Sequence, residues 1–155
     1  MTDAATTQHE ALRMERRFDA SPEAVFDAWT NPEVLRRWWA AAPGWETPAA
    51  EVDLRAGGRY RLTMRDPEAG AEHTVGGEYV EVRRPDRLTY TWAWEPEPGG
   101  PDMGPPSRVT VDFVADGDGT RVVLTHRGLA TVESRARHEH GWNACFDNLA
   151  QRVFA

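Results

Sequence analysis

The sequence predicts an α+β fold of the helix-grip kind, in which a curved antiparallel β-sheet wraps around one long C-terminal helix. Three observations predict it. From Ala49 to Gly128, apolar and polar residues alternate in short runs separated by turns, as in half-buried strands. The C-terminal stretch repeats apolar residues at spacings of three and four, which is typical of a helix with one buried face. A sheet of this size needs cover on one face, and that helix can supply it.

The stretch LRMERRFDA predicts the first strand, because its residues alternate between two faces. One face carries Leu12, Met14, Arg16 and Phe18. Arg16 interrupts an otherwise apolar row, and a buried arginine needs an acceptor. That acceptor is either a carboxylate of the protein or an anionic ligand, so Arg16 is a candidate ligand-binding residue.

Two short helices are predicted after this strand. Ser21 followed by Pro22 is a helix start, because serine caps the free amides and proline fits the first turn. Asn31 and the proline after it end this helix and begin a second one, in PEVLRRWW. There Leu35 and Trp38 lie three residues apart and share one face.

Six further strands are expected. EVDLR, a Gly57-Gly58 turn and RYRLTMR form a hairpin, and TVGGEYVEVRR follows a loop, with a bulge expected at Gly76-Gly77. RLTYTWAW comes next, and then the proline- and glycine-rich loop EPEPGGPDMGPPS. SRVTVDFVA and TRVVLTHRG complete the sheet around the turn DGDG.

The predicted C-terminal helix has one apolar stripe, formed by Trp142, Cys145, Phe146, Leu149 and Val153. A lone cysteine on such a stripe is expected to act as a small apolar side chain. His138 and His140, near the start of the helix, point about 160° apart and cannot readily share an ion. We therefore expect these histidines to be solvated or to cap the helix, and we expect neither a metal nor another cofactor.

Bulk properties limit the class of protein. At 155 residues the chain fits one domain over residues 11–155, behind a disordered lead-in at residues 1–10. A net charge of −7 argues against nucleic-acid binding, because phosphate contacts require positive charge. The polar N-terminus does not resemble a signal peptide, and no apolar run is long enough to insert into a membrane. With a single cysteine, the sequence predicts a cytoplasmic protein.

Five blocks, in this order, resemble a known family: SPEAVFDAWTNPEVLRRWW, AGGRYRLTM, RLTYTW, GTRVVLTHRG and HGWNACFDNLAQRV. They are similar to the bacterial homologues of the activator of the heat-shock protein 90 ATPase, in the START-like (SRPBCC) superfamily. The resemblance implies a helix-grip fold with a deep apolar cavity. The superfamily includes lipid and hormone binders, aromatic cyclases, metal-containing hydroxylase components and chaperone activators. The eukaryotic activator has a separate chaperone-binding domain for which this chain has no room, which argues against direct chaperone binding.

The tryptophans of LRRWWAAAPGW are predicted to have three different roles. Trp38 shares the helix face of Leu35 and should anchor the second helix in the core. Trp39 lies about 100° around the helix and can reach the mouth of the cavity. Trp45 follows a Pro-Gly pair and is expected in a loop, either exposed or at the entrance.

A ligand site is predicted between the sheet and the C-terminal helix. Its strongest signal is the aromatic row Tyr90, Trp92 and Trp94, because such rings suit an apolar pocket with a few polar tips, although plain core packing explains them equally well. His126 has the same strand parity as Val122 and Leu124 and should also point inward. The complete set of candidates is Arg16, Trp39, Tyr60, Leu62, Met64, Tyr90, Trp92, Trp94, Val111, Phe113, His126, Trp142 and Phe146.

Three functions are compatible with these patterns. The first is a non-catalytic protein that binds a small apolar or aromatic molecule in the cavity. The second is an enzyme of the cyclase or hydrolase type, with His126 or Arg16 as acid or anion anchor. The third is an interaction module, either a chaperone partner or a homodimer built on exposed tryptophans.

Overall fold

A computed structural model describes residues 11–40, 42, 44–96 and 105–154. The lead-in at residues 1–10 and most of the loop EPEPGGPDMGPPS, residues 97–104, lie outside the described residues. The expectations for these two segments stay predictions.

Seven strands and three helices follow one another in the order that the sequence predicts: one strand, two helices, six strands and a long helix. In chain order they are β1 (Leu12–Phe18), α1 (Pro22–Thr30), α2 (Pro32–Trp38), β2 (Glu46–Val52), β3 (Arg59–Arg65), β4 (Glu72–Arg83), β5 (Arg87–Trp94), β6 (Ser107–Asp116), β7 (Gly119–Arg127) and α3 (Val132–Arg152).

The strands form one curled antiparallel half-barrel sheet in the order β1-β7-β6-β5-β4-β3-β2. The chain's first strand pairs with its last. In this order β1 forms one edge of the sheet and β2 the other. The three helices cover one face of the sheet, as the helix-grip prediction requires.

Side-chain caps fix where the helices begin. The Ser21 hydroxyl accepts a hydrogen bond from the Ala24 amide at 3.2 Å and starts α1. The Asn31 side chain does the same for α2, accepting from the Glu33 amide at 2.9 Å. Thr131 caps α3, which is 21 residues long and begins nearly three turns before the apolar stripe that starts at Trp142.

The core lies where α1 and α3 meet the concave face of the sheet. Phe146 of α3 is fully buried and packs its ring 6.1 Å from Phe18 of β1 and 6.0 Å from Trp29 of α1. Trp38 anchors α2 as predicted, because its indole is fully buried and donates to the Ala28 carbonyl at 2.9 Å.

Two local predictions need correction. The strand expected at EVDLR begins earlier and ends sooner, at Glu46–Val52. Pro48 hides this strand in the sequence, but β2 is an edge strand with a register shift between Glu46 and Ala49, where a proline is tolerated.

The bulge expected at Gly76-Gly77 lies further on, between Tyr79 and Glu81. Gly77 instead allows a close approach of strands, because a Cβ there would lie 2.1 Å from the Thr91 carbonyl oxygen. Gly77 therefore serves the close packing of β4 on β5, while a Cβ at Gly76 would meet the Tyr60 carbonyl oxygen of β3 at 3.0 Å.

Candidate functional site

An open cleft of about 740 Å³ lies between the sheet and the N-terminal half of α3. Five of the chain's seven tryptophans line it. The complete lining is Trp39, Ala42, Trp45, Met64, His73, Trp92, Trp94, Ala136, Arg137, His138, His140, Gly141, Trp142 and Cys145.

Three parts of the fold build the walls of this cleft. The ends of β3 and β5 and the start of β4 contribute Met64, Trp92, Trp94 and His73. The segment from the end of α2 into β2 contributes Trp39 and Trp45, and residues 136–145 of α3 form the remaining wall.

A histidine of α3 holds two of the cleft indoles. His138 is buried, and its Nε2 accepts hydrogen bonds from the indole N–H groups of Trp92 and Trp94 at 3.3 and 3.1 Å. Its Nδ1 lies 2.7 Å from the Ser134 carbonyl oxygen and donates to it. Both ring nitrogens are therefore engaged, and the proton lies on Nδ1.

His126 of β7 holds a third indole in the same way. Its Nδ1 accepts from the Trp142 indole at 3.2 Å, so the proton lies on Nε2, which is 2.8 Å from the Ser107 hydroxyl. His126 is fully buried, as its strand parity predicts, and its ring lies 5.0 Å from that of His138. His126 contacts Trp142, which lines the cleft, but is not itself part of the lining.

Burial keeps both imidazoles neutral. It lowers the pKa of His126 to about 3, with a smaller contribution from His138. Burial also lowers the pKa of His138, and the Arg137 charge lowers it further, against the opposing effect of the Ser134 hydrogen bond. Because a protonated imidazole has no lone pair to accept a hydrogen bond, the neutral forms are the ones that can hold the three indoles.

The inner end of the predicted cavity is closed by aromatic packing. Tyr60 and Tyr90 have ring centres 5.2 Å apart, and the Trp29 indole donates to the Tyr90 hydroxyl at 3.3 Å. Only about 20 Å³ is left beside these rings and Leu62, which is room for about one water molecule. Burial raises the pKa of both tyrosines, so their hydroxyls stay protonated.

Three other candidates belong to the closed core. Phe113 packs 5.3 Å from Phe26 and 5.8 Å from Trp29, ring centre to ring centre. Val111 is fully buried, and Phe146 is enclosed between β1 and α1. None of the three is part of the cleft lining.

Arg16 also lies away from the cleft. Its guanidinium is partly exposed, lies 5.5 Å from the centre of the Phe146 ring and forms an ion pair of 2.9 Å with Asp147. Of the two acceptors expected for Arg16, the structure therefore shows the protein carboxylate.

The remaining tryptophan predictions can be compared directly with the fold. Trp39 reaches the cleft, but its side chain is buried, with its ring 6.3 Å from that of Trp92. Trp45 lies at the mouth, half-buried, and stacks on His73 at 5.9 Å. All seven tryptophans are among the described residues; none is exposed, and Trp45 and Trp94 are half-buried.

Sequence reasoning missed the role of His138. It was expected to be solvated or to cap the helix, and the structure shows it buried beneath two indoles. A signal was present, because His138, Trp142 and Cys145 are spaced by four and three and extend the apolar stripe by one turn. Arg137 and His140, one residue before and two residues after His138, also line the cleft, and the sequence analysis did not predict them as site residues.

Cys145 behaves as the sequence predicts. It is buried, and burial raises its pKa to about 12, so its sulfur is a thiol at neutral pH. Across the described residues, no three side chains of the His, Cys, Asp or Glu type group to hold a metal ion. The same residues contain no helix long and apolar enough to cross a membrane.

The comparisons with known proteins agree with this geometry. The model of the family described as "Activator of Hsp90 ATPase homolog 1-like protein" matches residues 19–153. The chain belongs to this family.

Solved structures of bacterial proteins show the same fold. The AHSA1 protein from Silicibacter pomeroyi is 32% identical, with a TM-score of 0.77 over 90% of this chain and 94% of that one. The AHSA1-like protein from Aeromonas hydrophila is 28% identical, with a TM-score of 0.71 and 90% of each chain covered. A protein from Chromobacterium violaceum is 25% identical, with a TM-score of 0.80 over 92% of this chain and 95% of that one. No curated protein matches the chain significantly.

Proposed function

We propose that this family member is a non-catalytic binding protein that holds a small apolar or aromatic molecule in the cleft between its sheet and α3. The observation that carries the proposal is the concentration of five tryptophans around one open cleft of about 740 Å³. Sites for small molecules in proteins are mostly apolar hollows of roughly 300–1,000 Å³, so the size and the lining both fit.

The hydrogen bonds inside the walls favour an apolar ligand. The indole N–H groups of Trp92, Trp94 and Trp142 are directed at His138 and His126. The polar tips of these rings are thus satisfied within the protein, and their apolar surfaces are what a ligand would meet. Rings held in this way lose little conformational freedom on binding, which favours affinity.

Two buried polar side chains of the cleft suit binding better than catalysis. His138 has both ring nitrogens engaged, and Cys145 is kept as a thiol by burial. Neither is arranged as a nucleophile or a general base. His126 and Arg16, which an enzyme would use as acid or anion anchor, lie outside the cleft lining.

The experiment that tests this function compares wild type with a blocked cleft. A library of apolar and aromatic compounds should raise the melting temperature of the wild-type protein with at least one hit. In Gly141→Leu, the new side chain should occupy the cleft and abolish the shift for the same hit. Leucine is also the better helix former, by about 0.5–1 kcal/mol, so helix propensity does not weaken α3.

The matched control is Asn143→Leu, which adds the same side chain to an exposed position of α3 outside the cleft. It should bind as wild type does. A library without any hit, or a hit that Gly141→Leu still binds with unchanged affinity, would rule the cleft out as the binding site.

We also propose that the protein acts in the cytoplasm. Cys145 is a free, buried thiol, and such residues are typical of proteins of reducing compartments. Secretion of the native protein into the medium or periplasm, measured by fractionation, would contradict this assignment.

A further inference from the structure

We infer that the ligand of this cleft is an amphipathic organic anion, with an apolar body against the indoles and a carboxylate or similar acidic group at Arg137. This inference rests on the proposed function, because it names the chemical class that the same cleft would take. Its basis is the charge of the lining and the position of Arg137.

The cleft has the opposite charge balance to the chain as a whole. The protein has 25 acidic residues and a net charge of −7. None of the described residues that line the cleft is acidic, whereas Arg137, with its permanent positive charge, is among them. A hollow lined in this way provides a site of positive potential on an acidic protein, which attracts anions.

Arg137 is available for a ligand. Several arginines elsewhere on the surface pair with carboxylates, such as Arg61 with Glu95 at 2.6 Å and Arg87 with Asp112 at 2.6 Å, whereas Arg36, Arg108 and Arg127, like Arg137, are exposed arginines outside these ion pairs. Arg137 differs from these three in that it lines the cleft. Among the residues that the structure describes, no ion pair joins Arg137 to a carboxylate. Arg137 lines the cleft beside His138, and its charge is one of the causes that lower the pKa of that histidine.

The arrangement of polar and apolar groups suggests how such a ligand would lie. Arg137 and His140 are exposed residues of α3 and line the same cleft as the buried rings of Trp92 and Trp142. An apolar body can therefore occupy the indole-lined interior while its acidic group stays near solvent at Arg137. This position avoids the cost of burying a charge completely.

A cationic ligand is the alternative that the indoles alone would permit, since aromatic faces attract cations. The Arg137 charge opposes it, and no carboxylate among the described lining residues offsets that charge. The sign of the preferred ligand charge is thus the property to measure.

The test uses three probes with one body: naphthalene-2-acetate, its neutral amide, and 2-(2-naphthyl)ethylammonium. Binding to the full chain is measured by calorimetry and by tryptophan fluorescence at low salt. We expect the acetate to bind about tenfold more tightly than the amide, and the ammonium to bind most weakly. The preference for the acetate should shrink as salt rises towards ~1 M, since screening weakens exposed charge contacts.

Arg137→Gln should remove the preference, so that acetate and amide bind alike. The matched control is Arg135→Gln, which makes the same charge change two residues away on α3, outside the cleft lining. It should keep the tenfold preference.

The outcomes separate this inference from the proposed function. If amide or ammonium binds as tightly as acetate, or if Arg137→Gln keeps the preference, the anion assignment is overturned and the cleft still binds apolar molecules. If no probe of the series binds and the wider library also gives no hit, both proposals fail together.

Discussion

Acidification should destabilise this protein well before its carboxylates are protonated, because of His126. The His126 side chain is fully buried and burial lowers its pKa from 6.5 to about 3. The unfolded chain therefore takes up this proton first as the pH falls. The stability linked to His126 is complete above about pH 6.5 and is lost progressively between there and about pH 3.

The size of this loss follows from the two pKa values. Within this window each pH unit costs about 1.4 kcal/mol for one such group, so His126 accounts for about 2 kcal/mol of lost stability between pH 6.5 and 5. His138 contributes in the same direction, since its pKa is also lowered. Most carboxylates remain ionised above about pH 5, so this range isolates the histidines.

The assay is urea unfolding followed by tryptophan fluorescence at several pH values from about 8 to 5. His126→Gln keeps a neutral donor and acceptor but removes the titrating group. From about pH 8 to 5, the free energy of unfolding of this variant should therefore fall by about 2 kcal/mol less than that of wild type. His140→Gln replaces an exposed histidine of α3 and is the control: its free energy of unfolding should fall with pH as steeply as that of wild type. An equal dependence of the free energy of unfolding on pH in wild type and His126→Gln would refute the reasoning.

Four further substitutions test the packing and the cap of α3, each by urea unfolding at neutral pH. Leu149→Ala should cost about 2–5 kcal/mol, because the side chain is fully buried on α3, and a smaller loss would mean that the site collapses. Gly77→Ala should cost about 3 kcal/mol, because its Cβ would strike the Thr91 carbonyl, whereas Gly70→Ala, in open space at φ +74°, should cost about 1–2 kcal/mol. The reverse order would contradict the packing of β4 on β5. Thr131→Ala should cost about 1 kcal/mol through the lost cap of α3, and no change would show that water replaces it.

Most of the fold could be predicted because its signals are local. Alternation with a period of two marks six of the seven strands, and Ser21 and Asn31 mark both short helices. The bounds of β2 could not be predicted, because Pro48 disrupts the pattern and only the tertiary position at a sheet edge explains it.

The site could be predicted only in part, because parity tells which way a side chain points and not whether the space there is filled. Val111 and Phe113 point inward as expected, but α1 packs over Phe113 with Phe26 and Trp29. That contact depends on how α1 docks, which no local pattern specifies. The aromatic row divides for the same reason, with Tyr90 in the closed core and the other two rings in the cleft.

The central claim is that the tryptophan-lined cleft is the binding site, and indole ¹H–¹⁵N NMR tests it most directly. Each of the seven tryptophans gives one side-chain signal. Titration with naphthalene-2-acetate should shift the signals of the five cleft residues, Trp39, Trp45, Trp92, Trp94 and Trp142, while those of Trp29 and Trp38 stay in place. Shifts confined to Trp29 and Trp38, or none at saturating ligand, would contradict the account.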